Sequence, residues 1–437
     1  VKILKWLGTY SRKTVYFLLI FCGVILCLTS ISLLQLLKLP ANLRISPGQK
    51  ITLSIRYPFK IELSEHFLAV SELQTFLKQS LILESPKNQT YHLQLKLFGK
   101  IPVRQFQIKI VDPPKVIPCG EAIGVLVSTK GVIIVGHVPV VGINQKQSYP
   151  AKDAGLMAGD VILSLNGYSV YNVGQVEEFI KNYKGKIITL TLKRNGKIIL
   201  KKIKPVLAKK NGKYRSMLGI FIEDPAAGVG TLTFYQPATR FFAGLGHRIN
   251  NFNGKNGISF HQGEIVLANI SAVRPGIPGK PGEKVGIFYS SQPSIGFINK
   301  NTKFGIYGKL YKENIPQSRI TGPIPIAYPS EIKTGTAYIY TVITGYKVQR
   351  FKVKIVKVFR QSQPHDKGLI IKVVDPVLLK KTGGIIQGMS GSPIIQEGRL
   401  IGAVTHVFVN DPTKGYGVLA EWMVAEIEKL NSGEKAS

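Results

Sequence analysis

The chain has 437 residues, more than one hydrophobic core can organise, so two or three domains are expected. Hydrophobic residues make up 44% and charged ones 19%, so most of the chain folds, and 44 Gly with 25 Pro favour turn-rich β architecture over helical bundles. The net charge of +34 is compatible with anionic surfaces such as lipid headgroups, but the basic residues form no dense block, and no nucleic-acid-binding module is recognisable.

The first expected element is a membrane span. Residues 1–14 form a basic tail with Lys2, Lys5, Arg12 and Lys13, and Val15 to Leu37 contain no charged residue. As a helix rising about 1.5 Å per residue, residues 15–37 would cross a hydrocarbon core of about 30 Å. The preceding charge predicts a cytoplasmic N-terminus and an extracytoplasmic remainder, a single-pass membrane protein. The run is long for a cleaved signal peptide, and no small-x-small site follows it.

Residues 38–113 show short alternating runs, such as Ile51 to Ile55 and Tyr91 to Leu97, which predict half-buried strands of a small β domain. A PDZ domain is expected over 114–205. The string Pro150-Ala151, Ala154-Gly155-Leu156, Gly159-Asp160-Val161-Ile162 and Asn166-Gly167 resembles that fold, with Val176 to Ile180 as its groove-side helix. In such a domain an extended peptide adds as a strand, here expected at Ile123, Gly124 and Val125. Lys209 to Lys213 reads as a polar linker, and residues 206–437 are left for a further domain.

That last part carries the chemistry. Gln387-Gly388-Met389-Ser390-Gly391-Ser392-Pro393 resembles the nucleophile loop of trypsin-like β-barrel serine peptidases, with a hairpin over 393–405 behind it. Glycines allow a turn from which the Ser390 hydroxyl projects, and the resemblance makes the amides of Gly388 and Ser390 the oxyanion hole. Among seven histidines, His247 is preferred as the base, because small residues precede it in Ala243-Gly244-Leu245-Gly246-His247. Thr405 and His406 fall at cleft-lining positions. Asp375, at the end of an apolar strand 15 residues before the serine, is preferred over Asp224 and Asp366 as the third triad member, although its position also suits a strand-ending turn former.

The order of anchor, β segment, PDZ domain and peptidase resembles the SpoIVB peptidases, the stage IV sporulation protein B family of endospore-forming bacteria. The matching stretches include Lys96 to Pro102, Gly228 to Tyr235, Gly244 to His247, Pro281 to Gly286, Gln387 to Pro393 and Gly415 to Val418. The resemblance assigns His247, Asp375 and Ser390 as the triad, with no metal and no cofactor. It implies a membrane-anchored endopeptidase that processes itself and is exported into the space around the forespore. There it cuts a membrane-bound regulator, so that a late mother-cell sigma factor is activated. A peptide ligand, or another copy of the chain, would occupy the PDZ groove. Two other readings share these residues: a housekeeping peptidase for exported proteins, and a non-catalytic PDZ adaptor, against which the intact His, Asp and Ser argue.

Overall fold

The computed structural model describes residue 16 and residues 42–432, apart from 64–69, 76–77, 85–86, 129–130, 184–186, 211, 224–225, 250–261, 289–291, 316–321, 360 and 362. The expected membrane span therefore lies outside the described residues. Among those described, no helix is long and apolar enough to cross a membrane.

Among the described residues, the regular elements of the first unit are all strands. Asn42–Ile45, Ile101–Ile110, Gln89–Leu97 and Phe59–Leu63 form one sheet in that order, and Ile51–Arg56, Lys78–Leu83 and Val70–Thr75 form a second. Their alternating apolar residues close a separate core around Phe59, Leu83, Tyr91 and Ile108. Arg399 fastens this unit to the C-terminal part, with Nη1 reaching Ser46 Oγ at 2.8 Å and Glu331 Oε2 at 3.2 Å.

Chain order then departs from domain order. Strand β1 (Ala122–Ser128) begins a barrel, and the chain at once leaves it for an α/β module. That module contains β2 (Val132–His137), α1 (Pro150–Asp153), β3 (Val161–Leu165), α2 (Val173–Asn182), β4 (Ile188–Arg194), β5 (Lys197–Ile203) and β6 (Ile220–Glu223). Its sheet order is β5-β4-β3-β2-β6. The chain returns in β7 (Ala226–Tyr235) and continues through β8 (Phe241–Gly244), β9 (Gln262–Leu267), β10 (Gly296–Thr302) and β11 (Gly305–Leu310). These five strands and β1 close a ring in the order β8-β11-β10-β9-β1-β7, with β7 pairing back to β8.

This arrangement corrects two expectations. Ile123, Gly124 and Val125 do not line a peptide groove, because β1 is paired along one edge with β7 and along the other with β9. Ile123 and Val125 are buried in the barrel core, and a Cβ on Gly124 would lie 2.5 Å from the Phe288 ring. The PDZ-like module also does not run over 114–205. It spans β2 to β6, includes the strand at 220–223, and interrupts a barrel whose first strand precedes it.

Inside the module, Asp160 fixes the turn before β3. Its carboxylate accepts from Arg194 Nε at 2.6 Å, Arg194 Nη2 at 2.7 Å and the Met157 amide at 2.9 Å, with its side chain 1% exposed. Burial pushes its pKa up, but the Arg194 hydrogen bonds and charge outweigh this and hold it below the usual carboxylate value. This stabilisation is present above the unfolded carboxyl pKa and is lost as pH falls through the lower folded value. Asp160→Ala strands a guanidinium against the buried turn, and it is expected to cost about 3 kcal/mol in urea unfolding of the module.

A second ring follows, formed by β12 (Gly335–Val342), β13 (Val348–Val358), β14 (Leu369–Val373), β15 (Pro393–Gln396), β16 (Arg399–Phe408) and β17 (Asp411–Leu419). It closes in the order β12-β13-β14-β17-β16-β15, and helix α3 (Pro376–Thr382) sits between β14 and β15. Strand β13 shows how the pattern works: Phe351, Val353 and Ile355 point into the core, while Lys352 and Lys354 alternate outward. Much of the positive charge is a solvated face of this kind. The closing helix α4 (Ala420–Asn431) joins the rings, with Met423, Val424 and Ile427 packed against Phe234 and Tyr307 of the first and Leu400 of the second. Lys300 on β10 meets the buried Glu426 of α4 at 2.8 Å.

Candidate active site

The site forms where the two rings meet. The turn from Gln387 to Ser392 precedes β15, and β7 of the first ring holds its backbone. Thr231 donates its amide to the Ser390 carbonyl at 2.9 Å and its hydroxyl to the Gly388 carbonyl at 2.8 Å. Two glycines are required here. Gly388 has φ +90° and Gly391 φ +93°, and a Cβ on Gly391 would lie 2.1 Å from the Thr231 carbonyl oxygen.

The turn leaves two donors unused. The amides of Met389, Gly391 and Ser392 donate to Ile386, Val404 and Met389 carbonyls, whereas those of Gly388 and Ser390 find no acceptor among the described residues. Two adjacent unpartnered amides on a fixed turn are what an oxyanion hole needs. The Ser390 hydroxyl donates to the Thr405 carbonyl at 2.7 Å, so rotation about its χ1 is required before it can give its proton to a base.

His247 comes from the first ring, three residues past β8, and is half-buried at the junction. Its Nδ1 lies 2.9 Å from the Arg248 carbonyl oxygen. A carbonyl can only accept, so Nδ1 carries the proton and the lone pair is on Nε2, the tautomer a general base requires. Burial lowers the pKa of His247, while the Arg248 hydrogen bond and the Asp366 charge oppose that shift. Burial therefore favours the neutral imidazole that a general base requires.

Thr405 and His406 also meet here. The pairing of β16 with β17 skips from Val404 to Val407, so the backbone of the two residues between them is released from the ladder. Thr405 is buried and His406 exposed, with the His406 ring centroid 5.1 Å from that of His247. Burial lowers the pKa of His406 as well, and the nearby His247 charge lowers it further.

The contacts of Asp375, expected as the triad carboxylate, are with backbone amides. Its Oδ1 accepts from the Val377 and Leu378 amides at 3.0 and 3.1 Å, and its Oδ2 accepts from the Lys352 amide at 3.2 Å. This is a helix N-cap, with Pro376 in the first turn of α3 and Gly383 closing the helix in the left-handed region. The carboxylate whose charge reaches both His247 and His406 is Asp366. In the chain Asp366 precedes and Asp375 follows the five-residue β14.

Sequence reasoning also missed two features. One is Lys284, buried under the nucleophile turn: its methylenes would lie 3.0–3.2 Å from a Cβ on Gly388, its amide bonds the Gln387 carbonyl, and Nζ donates to Thr341 Oγ1 at 2.7 Å. Burial without a carboxylate lowers its pKa to about 7. The unfolded chain holds that proton to about 10.5, so unfolding takes up a proton between the two values and stability rises with pH across that window. Lys284→Met is expected to stabilise the protein by about 2–4 kcal/mol at pH 6 and to flatten the rise of Tm between pH 7 and 10.

The other is an edge. In the module's sheet, β6 is paired only with β2 among the described residues, and Leu218-Gly219-Ile220 leads into it with Gly219 at φ +71°. The preceding strand Lys213–Met217 packs beside α2. The apolar-Gly-apolar signal in Leu218-Gly219-Ile220 is of the same kind as the one in Ile123-Gly124-Val125, and only strand pairing separates them.

Comparison with known families gives two matches. Residues 213–424 match the family described as SpoIVB peptidase S55, and residues 145–194 match the PDZ domain. The first match covers the nucleophile turn, His247 and all of the second ring, and it begins before β6; β1 lies outside it.

Proposed function

We propose, from the premise that this chain belongs to the SpoIVB peptidase family and is a PDZ-containing serine peptidase, that it cleaves a protein substrate by acyl transfer to Ser390. The observation that carries this reading is the turn at 388–390, with two unpartnered amides and a serine bonded to the carbonyl of Thr405, whose neighbour His406 packs on the His247 imidazole. On substrate binding the Ser390 hydroxyl turns from the Thr405 carbonyl toward His247. His247 Nε2 takes its proton as Oγ attacks the scissile carbonyl and later gives it to the leaving amine. Negative charge on the carbonyl oxygen is met by the Gly388 and Ser390 amides. Asp366 favours the imidazolium that forms between these steps, and the Arg248 carbonyl holds its orientation. Water then repeats the sequence on the acyl-enzyme.

The finer reading follows the family. The uncharged run at 15–37 anchors the chain, with the peptidase on the extracytoplasmic side, in the forespore intermembrane space. The substrate is a membrane-bound regulator whose cleavage leads to activation of a late mother-cell sigma factor, and the chain processes itself. The PDZ domain takes an extended peptide segment, of a partner or of another copy, along the free edge of β6. Incubation of the exported part with a simple alkyl fluorophosphonate tests the chemistry. An adduct on Ser390 that is lost in His247→Ala supports it, and a folded protein that never labels moves the reading to an adaptor.

A further inference from the structure

A cleft of about 600 Å³ opens at the β13–β14 loop, whose Lys367 and Asp366 charges reach His406. One wall is Lys303, in the β10–β11 turn of the first ring; the other is the β13–β14 loop, with Phe359, Gln361, His365 and Lys367, and Tyr416 of β17 also lines it. It is therefore lined from both rings, as is the site that holds His247 and Ser390. The loop is held at its neck, since the Phe359 amide donates to the Gly368 carbonyl at 2.9 Å. It is held again at Gln361, which accepts from Trp422 Nε1 at 2.6 Å and donates to the Lys367 carbonyl at 3.0 Å.

The charge in this cleft is uncompensated. Lys303 Nζ lies over the Phe304 ring at 5.1 Å and Lys367 Nζ over the Tyr416 ring at 4.8 Å. Among the described residues neither ammonium has a carboxylate within ion-pair distance. The carboxylate of the loop, Asp366, lies 2.9 Å from Nδ1 of its neighbour His365. Lys367 is also near enough to His406 for its charge to act on that ring. Two ammonium groups with aromatic and amide walls form a receptor for a single anionic group.

We propose that this cleft is a specificity subsite for the carboxylate of an Asp or Glu side chain in the substrate. The inference rests on the peptidase reading and adds its preferred sequence. The backbone of Thr405 and His406 is released from the ladder, and once Ser390 turns to His247 the Thr405 carbonyl is free to pair an extended substrate. At a strand rise of about 3.3 Å, the four residues before the scissile bond extend about 13 Å from it, the stretch over which the side chain is sought.

The test uses peptidyl phosphonates that react with Ser390, identical except for Glu against Gln walked through the four positions before the phosphorus. A simple fluorophosphonate reports separately on the nucleophile. The wild-type protein is expected to react about tenfold faster with Glu at one of these positions, as one charge-assisted hydrogen bond implies. Lys303→Gln with Lys367→Gln removes the preference, and charge reversal of both to Glu turns it toward a Lys-containing probe. The fluorophosphonate rate stays unchanged in these variants. Equal rates for Glu and Gln at every position, with the fluorophosphonate still labelling Ser390, overturn the subsite and leave the peptidase. Failure of both probes removes the peptidase reading and the subsite with it.

Discussion

Ser390→Ala is expected to lower peptide cleavage by about 10⁴-fold or more while the protein keeps its fold, and His247→Ala by a similar factor. The hydroxyl makes one hydrogen bond, to the Thr405 carbonyl, so its removal changes stability by only about 1 kcal/mol. The turn itself is held by Thr231 and by glycines that the substitution leaves alone. Circular dichroism and Tm should therefore match the wild type when activity is gone. The double variant should be scarcely slower than either single one, because nucleophile and base act as a unit. The pH profile supplies a second check. Since burial lowers the pKa of His247, the acid limb of kcat/KM should fall below the ordinary imidazole value near 6.5, with full activity at neutral pH. An acid limb well above that value would sink the assignment of His247 as the base.

The second expected result separates two aspartates. Asp366→Asn should reduce kcat by about 3- to 10-fold with little change in Tm, because it removes a nearby charge that favours the imidazolium. Asp375→Ala should do the reverse: it removes the cap of α3 and lowers stability by about 1–2 kcal/mol, with kcat nearly unchanged at a temperature where the protein stays folded. Asp366→Asn should also shift the acid limb to lower pH, since the Asp366 charge raises the proton affinity of His247. A purely structural role would leave that limb in place. Retained activity in Asp366→Asn together with a folded, inactive Asp375→Ala would return the triad role to Asp375.

The nucleophile turn was legible because its requirements are local. Glycines at 388 and 391 are demanded by backbone conformations within the turn, so the motif is written in consecutive residues. The string from Pro150 to Gly167 was legible for the same reason, with Asn166 and Gly167 at φ +47° and +84° closing a tight hairpin. What could not be read was pairing over distance. Strand β1 looks like a PDZ ligand strand until its neighbours β7 and β9 are known, about a hundred residues or more downstream. Asp375 is ambiguous for another reason: an aspartate followed by proline after a strand reads as a catalytic acid or as a helix cap, and the sequence does not say which partners it meets. Lys284 gave no signal, because its burial depends on the two rings meeting around it.

The interruption of the first ring by the PDZ domain has a mechanical side. The chain departs through β1 into β2 and comes back through β6 into β7, and both pairs of strands run side by side and antiparallel. A folded PDZ domain thus works on the peptidase as a cross-link would: it brings the two cut ends of the ring together and removes the freedom of a long open loop. For a loop of about 100 residues such a closure is worth roughly 4–5 kcal/mol. Damage confined to the PDZ core is then felt in the ring that supplies His247. Excising the domain and joining Ser128 directly to Ala226 should leave a peptidase more tolerant of heat than one whose PDZ domain is present but unfolded.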